Sequence, residues 1–266
     1  MYLKGKKGVI MGLANDHSIA WGVAKKLSEE GAELCFMYAG ETLLRRVQPL
    51  AESLNSNFLI ECNVLDTDSI QKAFNQVKDK WGSIDFVLHS IAFSDKNELK
   101  GKYLDTSRDN FTQTMLISCF SFTETAKEAS KLMVNGGALV TLSYDGSQRV
   151  VPNYNVMGVA KAALESSVRY LATDLGGQNI RVNSLSAGPM KTLAMAGISG
   201  GKDMLKWSDK NSLMQRNITL EDVGKSGFYL LSDLSSGVTR ENHYVCLLYT
   251  SPSPRDRTRN RMPSSS

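Results

Sequence analysis

Residues 7–38 read KGVIMGLANDHSIAWGVAKKLSEEGAELCFMY. Lys7 to Gly12 is a short apolar run ending in glycine. Ile19 to Glu30 carries apolar residues at helical spacing, with Gly31 as a stop, and Glu33 to Tyr38 is a second apolar run. Strand, turn, helix and strand follow one another, and the alternation recurs downstream. The pattern predicts helix Glu41–Ser53, strand Phe58–Glu61, helix Ser69–Lys80, strand Ile84–Leu88, helix Arg108–Leu132 and strand Ala138–Leu142. A helix from Tyr154 to Leu175, strand Arg181–Ser186 and helix Leu220–Ser232, with Thr219 as its N-cap, come next. Such alternation builds βαβ units with right-handed crossovers and a mostly parallel sheet. The expected fold is a single α/β domain, a doubly wound Rossmann-type parallel sheet with helices on both faces. The domain is expected over residues 1–248, followed by a disordered tail at 249–266.

Composition bounds the function. The 266 residues are 42% hydrophobic and 22% charged, enough for one large core and ordinary for a soluble chain. No run of roughly 18 or more apolar residues occurs, and Met1–Gly5 does not open a secretory signal, so a cytoplasmic protein without membrane association is expected. Cys35, Cys62, Cys119 and Cys246 are far apart and only three histidines accompany them, which predicts buried thiols and neither a metal site nor a disulfide framework. The net charge of +4 is concentrated at the end, because residues 250–266 hold four arginines against one aspartate. A nucleic-acid partner has little support.

Parallel sheets of this kind bind ligands beyond the carboxyl ends of their strands. After the first strand, Gly12 allows close backbone approach, and the helix start at Ser18 and Ile19 offers free N–H groups to a pyrophosphate; alternatively Ser18 merely caps the helix. After the second comes Tyr38-Ala39-Gly40-Glu41, with no carboxylate at the strand end for a ribose hydroxyl. Arg45 and Arg46 either meet a 2′-phosphate or lie on a solvated face, so NADPH stays open beside NADH. After the third, Asn63, followed by Val64, either reaches an adenine edge or only turns the chain. After the fourth, Ser90, Ile91 and Ala92 are small enough to let backbone lie against a ribose, and His89 is equally readable as structural or functional. After the sixth, Gly188 and Pro189 shape a turn, and Thr192 is placed for a carboxamide or pyrophosphate. From Ala194 to Asn217 there is neither a clean period nor a strand, which predicts a substrate lid over about 190–217.

The fifth strand leads into Ser143-Tyr144-Asp145 and then Tyr154-Asn155-Val156-Met157-Gly158-Val159-Ala160-Lys161. Two helical turns bring Tyr154 and Lys161 onto one face, a phenolic proton donor beside a cationic anchor. Together, the G-x5-S-x-A pattern at Gly12–Ala20, the run His89–Glu98, Tyr144, the Tyr154-x6-Lys161 pair and Gly188-Pro189-Met190-Lys191-Thr192 carry a resemblance. The chain resembles the bacterial enoyl-acyl carrier protein reductases of the NADH-dependent type, within the short-chain dehydrogenase/reductase superfamily, over about residues 2–245. The commoner ketoreductases of that superfamily have tyrosine four residues before the lysine. Here that position is Met157, whose thioether cannot donate a proton. Tyr154 stands roughly 4.5 Å of helix rise further toward the N-terminus. In an enoyl thioester the hydride lands on the β-carbon, remote from the oxygen that gathers charge, so the displaced phenol suits C=C reduction.

The resemblance implies NADH as cofactor, enolate stabilisation by Tyr154, ribose binding by Lys161 and an acyl pocket lined by Tyr144, with catalytic residues Tyr144, Tyr154 and Lys161. It implies cofactor contacts from Gly12, Ser18, Ile19, Ala39, Asn63, Val64, Ser90, Ile91, Ala92, Gly188, Pro189, Met190, Thr192, Leu193 and Ala194. Phe93 and Ser94 would join Tyr144 and Tyr154 at the substrate. It further implies a homotetramer and an acidic acyl carrier protein met by a basic patch for which Lys202 and Lys206 are candidates. Two departures touch the adenosine end: family members commonly have glutamine at the Ala39 position and aspartate at the Asn63 position. The run from Cys246 shifts abruptly to Ser, Pro and Arg and resembles translated sequencing-adapter read-through, a foreign tail that would weaken the tetramer. Competing readings are another short-chain reductase of an activated alkene or carbonyl, and a dinucleotide-binding regulator without turnover.

Overall fold

A computed structural model describes residues 1–192 and 201–247, with the side chains of 201–204 excluded. The strands are β1 (Lys7–Met11), β2 (Glu33–Tyr38), β3 (Leu59–Glu61), β4 (Phe86–His89), β5 (Gly137–Ser143), β6 (Ile180–Ala187) and β7 (Asn242–Val245). They form one parallel sheet in the order β3-β2-β1-β4-β5-β6-β7. The chain works outward from β1 to β3, then returns to the other side of β1 with β4. That reversal leaves a crevice at the carboxyl ends of β1 and β4, where doubly wound sheets bind ligands.

The near-continuous apolar strands have a direct cause in burial on both faces. In β1, Val9 and Met11 enter one core layer while Ile10 enters the other; in β4, Val87 faces the first layer and Phe86 and Leu88 the second. Helices α1 (Ile19–Glu29), α2 (Glu41–Ser53) and α3 (Thr67–Trp81) connect the first strands. Beyond β4 come α4 (Arg108–Met115), α5 (Ser121–Ser130), α6 (Asn155–Leu175), α7 (Gly201–Asn211) and α8 (Leu220–Leu231). Thr219 caps α8 as expected, in a capping box with Asp222. The Arg216 side chain hydrogen-bonds that carboxylate and holds its pKa down to about 2.

Three expectations need correction. The helix expected over 108–132 is broken by a π-helical turn at Leu116–Phe120, because one extra residue is inserted between α4 and α5. The supposedly irregular stretch 194–217 contains α7. Among its described side chains, 205–211, only Ser208 is buried, so no apolar period is there to read. Tyr154 does not lie within α6 but at its N-cap. The lid's residues 193–200 and the tail from 248 onward lie outside the described residues, as do Leu193 and Ala194.

Helices α1 and α8 approach closely because each presents glycine. A Cβ at Gly22 would lie 2.5 Å from the Leu220 carbonyl oxygen, and one at Gly224 would lie 2.4 Å from the Gly22 carbonyl oxygen. Gly22→Ala should therefore lower unfolding stability by about 1–3 kcal/mol, the usual cost of overpacking. Chemical denaturation checks this, and a variant as stable as the parent would contradict the packing.

Candidate active site

The crevice at the strand-order reversal opens into a cleft of about 370 Å³. Its wall is made of strand ends. Gly12 has φ +87°, and a Cβ there would sit 2.0 Å from the Ser90 carbonyl oxygen, so only glycine lets the turn after β1 close against the turn after β4. Ser18 makes no side-chain cap to α1. Its Oγ instead accepts from the backbone N–H groups of Ala14 (3.2 Å) and Asn15 (3.1 Å), curling the loop at the cleft mouth.

Of the residues expected at a cofactor, Gly12, Ser18, Ile19, Ser90, Ile91, Ala92, Lys161, Gly188, Met190 and Thr192 line this cleft, together with Tyr144 and Tyr154. Ala39, Asn63 and Val64 do not; they follow β2 and β3, further out along the sheet. Asn63 Oδ1 accepts from Leu65 N–H at 3.1 Å, which is the behaviour of a turn asparagine. Val64 is buried in the core. Pro189 is buried between two lining residues without lining the cleft itself. Phe93 and Ser94 also stand outside the lining. The Phe93 ring is half-exposed, and Ser94 Oγ donates to Asn110 Oδ1. Four lining residues were not expected: Ala14, Leu142, Ser143 and Ala187. The last three end β5 and β6, so the carboxyl-end rule would have found them had it been applied to every residue there.

His89 belongs to the core. Its ring is fully buried and hydrogen-bonds both the Thr141 and Ser121 hydroxyls, and burial pushes its pKa down to about 3. It is a neutral structural histidine.

At the far wall, Tyr144 at the end of β5 meets Tyr154 edge-on, ring centroids 5.1 Å apart at 69°. Gly146 makes this possible, since a Cβ there would come within 2.5 Å of the Tyr154 ring. Burial raises the pKa of both phenols, Tyr144 to about 12 and Tyr154 further, so each is a protonated donor near neutrality. Lys161 is 6% exposed and its Nζ donates to the Leu142 carbonyl oxygen at 2.7 Å. Burial lowers its pKa to about 8, against the opposing influence of Cys119 and Glu165. The arrangement offers a neutral phenolic donor beside a buried ammonium, at the end of a glycine-walled cleft. Among the described residues no cluster of His, Cys, Asp and Glu could hold a metal ion, and no helix is long and apolar enough to cross a membrane. Of the two lysines considered for an acidic partner, Lys206 is exposed on α7, while the Lys202 side chain lies outside the described residues.

The family model described as enoyl-(acyl carrier protein) reductase matches residues 12–247. The chain belongs to that family. It is 62% identical over 243 residues to an NADH enoyl-[acyl-carrier-protein] reductase of Rhizobium meliloti, with 91% of each protein covered. Among solved structures of the family, FabI from Candidatus Liberibacter asiaticus superposes with a TM-score of 0.92 at 58% identity, covering 95% of this chain and 99% of that one. The enoyl-(acyl-carrier-protein) reductase of Anaplasma phagocytophilum in complex with NAD gives 0.90 at 55% identity, covering 94% and 95%.

The depressed pKa of Lys161 has a consequence for stability. Between about 8 and the ordinary 10.5 the unfolded chain binds a proton that the folded chain has lost, so stability from this group rises with pH through that window. Site-resolved NMR of the Lys161 side chain should give a titration midpoint near 8; a midpoint above 10 would contradict the described burial.

Proposed function

We propose that the protein is an NADH-dependent enoyl-acyl carrier protein reductase that reduces trans-2-enoyl thioesters in type II fatty acid biosynthesis. The observation that carries this reading is the position of the phenol. Tyr154 lines the cleft from the N-cap of α6, one turn before the position at which a carbonyl reductase would need it, and the residue at that position is Met157. The cleft suits a dinucleotide because Gly12 lets the turn after β1 close against the turn after β4, which brings backbone rather than side chain to the cleft wall.

Gly12, Ser18 and Ile19 would take the pyrophosphate at the start of α1, while Ser90, Ile91 and Ala92 lie against the nicotinamide ribose. Gly188, Pro189, Met190 and Thr192 would border the nicotinamide. Leu193 and Ala194 would extend that border, and Ala39, Asn63 and Val64 would reach the adenosine. NADH held there would supply a hydride to the β-carbon, and a proton taken up at the α-carbon of the enolate would complete the saturated thioester. The Tyr154 hydroxyl would donate a hydrogen bond to the thioester oxygen as negative charge gathers there, lowering the barrier from a buried phenol. Its raised pKa keeps the proton in place until the enolate demands it. Lys161 holds the ribose hydroxyls and adds positive potential beside the developing charge; Tyr144, with Phe93 and Ser94 at the rim, borders the acyl chain.

NADH is favoured over NADPH by the 62% identity to an NADH enoyl-[acyl-carrier-protein] reductase of Rhizobium meliloti. The reading extends to a cytoplasmic bacterial enzyme with one domain over residues 1–248 and a lid over about 190–217; the tail at 249–266 lies outside the described residues. It also includes an acyl carrier protein partner drawn to Lys206 and a homotetramer. Exposed Phe111 on α4, with Leu116 and Phe120 on the π-helical turn that follows, gives apolar surface for assembly.

The test is NADH oxidation with a crotonyl thioester. Tyr154→Phe should lower kcat on the order of a hundredfold or more, with NADH affinity nearly unchanged. Lys161→Ala should weaken NADH binding. Parental turnover and affinity in both variants would contradict the reading. In a parallel comparison of cofactors, kcat/KM should be higher for NADH than for NADPH.

A further inference from the structure

Glu165 is a buried carboxylate that the chemistry above leaves unused. It lies on α6 one turn beyond Lys161 and is 4% exposed. Its Oε1 accepts hydrogen bonds from the hydroxyls of Ser143 and Ser147, and its Oε2 accepts from Gln148 Nε2 at 3.0 Å. Ser143 immediately precedes Tyr144, and Ser147 and Gln148 follow it across the 3-10 turn Asp145–Ser147. One carboxylate thus grips both flanks of Tyr144. The same turn also backs the second tyrosine. Gly146 packs on the Tyr154 ring, and a Cβ at Gly158 would come 2.7 Å from the Gly146 carbonyl oxygen, so turn, ring and α6 are stacked without slack. A buried carboxylate needs donors for its lone pairs, and here each donor ties down a different residue of the turn.

We infer that Glu165 is a positioning residue: it clasps the Ser143–Gln148 turn so that Tyr144 stays edge-on to Tyr154 and the Tyr154 hydroxyl meets the thioester oxygen in a single geometry. The inference rests on the reading that Tyr154 serves that oxygen. Glu165 touches neither substrate nor cofactor in this account, so the clasp acts on the thioester step; its carboxylate also supports the charge of Lys161, so the clasp is separated from that influence by variants that keep the carboxylate.

The experiment compares the parent, Glu165→Gln and the double variant E165Q/Q148E, measuring kcat, KM for a crotonyl thioester, NADH dissociation constant and Tm. Glu165→Gln keeps the shape and an acceptor for the two serines but turns an amide donor toward the Gln148 amide. Its kcat should fall on the order of tenfold to a hundredfold, and NADH affinity is read in S147A/Q148A, which keeps the carboxylate near Lys161 and should bind NADH within about twofold of the parent. Gln148→Glu in that background restores a donor–acceptor pair and should recover most of the lost kcat. If Glu165→Gln does not fold, S147A/Q148A removes the two outer arms, leaves the Ser143 bond in place, and should lower kcat about tenfold. Parental kcat in the variant that folds, or a loss that Gln148→Glu leaves unrelieved, would overturn the clasp. A parent that does not turn over the thioester contradicts the functional reading itself and takes this inference with it.

Discussion

The buried ammonium of Lys161 is the constraint around which the site is arranged. Water is withdrawn from it, so its charge has to be met by protein groups, and its Nζ donates to the Leu142 carbonyl oxygen at the last turn of β5. That bond ties α6 to the carboxyl end of the strand that delivers Tyr144. The cost of burial is visible as a pKa near 8, and the carboxylate of Glu165 one turn away opposes the shift. A fold with the strand order reversing at β1 and β4 places this junction beside the glycine turn after β1. Gly12, Tyr154 and Lys161 therefore share one cleft through sheet topology, although Gly12 and Lys161 are far apart in the chain.

Within that frame the register of one aromatic residue sets the proposed chemistry. Tyr154 and Met157 both belong to the start of α6 and both are buried. A phenol at 157 would suit an oxygen on the carbon that receives hydride. A phenol at the N-cap, turned into the cleft against Tyr144, suits an oxygen further along a conjugated thioester. The choice between C=O and C=C reduction then depends on less than one helical turn.

Much of the fold was legible because the strands of a doubly covered sheet are continuous apolar runs, and Val9–Met11 and Phe86–Leu88 leave little room for another reading. The helix α7 was not legible, since among its described side chains the one buried position is the polar Ser208. Nor was the π turn at Leu116–Phe120, where a single inserted residue leaves the apolar count almost unchanged. In the site, Gly12, Lys161 and the two tyrosines could be read from residue type and spacing. The ambiguous residues needed coordinates: His89 proved to be core, Asn63 a turn residue, and Ser18 a brace for its own loop. Glu165 was invisible because a glutamate four residues after a lysine on a helix ordinarily reads as a solvated pair.

The central claim is that the displaced phenol commits the cleft to carbon–carbon double bonds. The most direct measurement is competition between a trans-2-enoyl thioester and the 3-ketoacyl thioester of equal chain length, with NADH and the unaltered protein, following both products. The account predicts saturated acyl thioester as the product, with no 3-hydroxyacyl thioester above background. Reduction of the ketone at a comparable kcat/KM would contradict it.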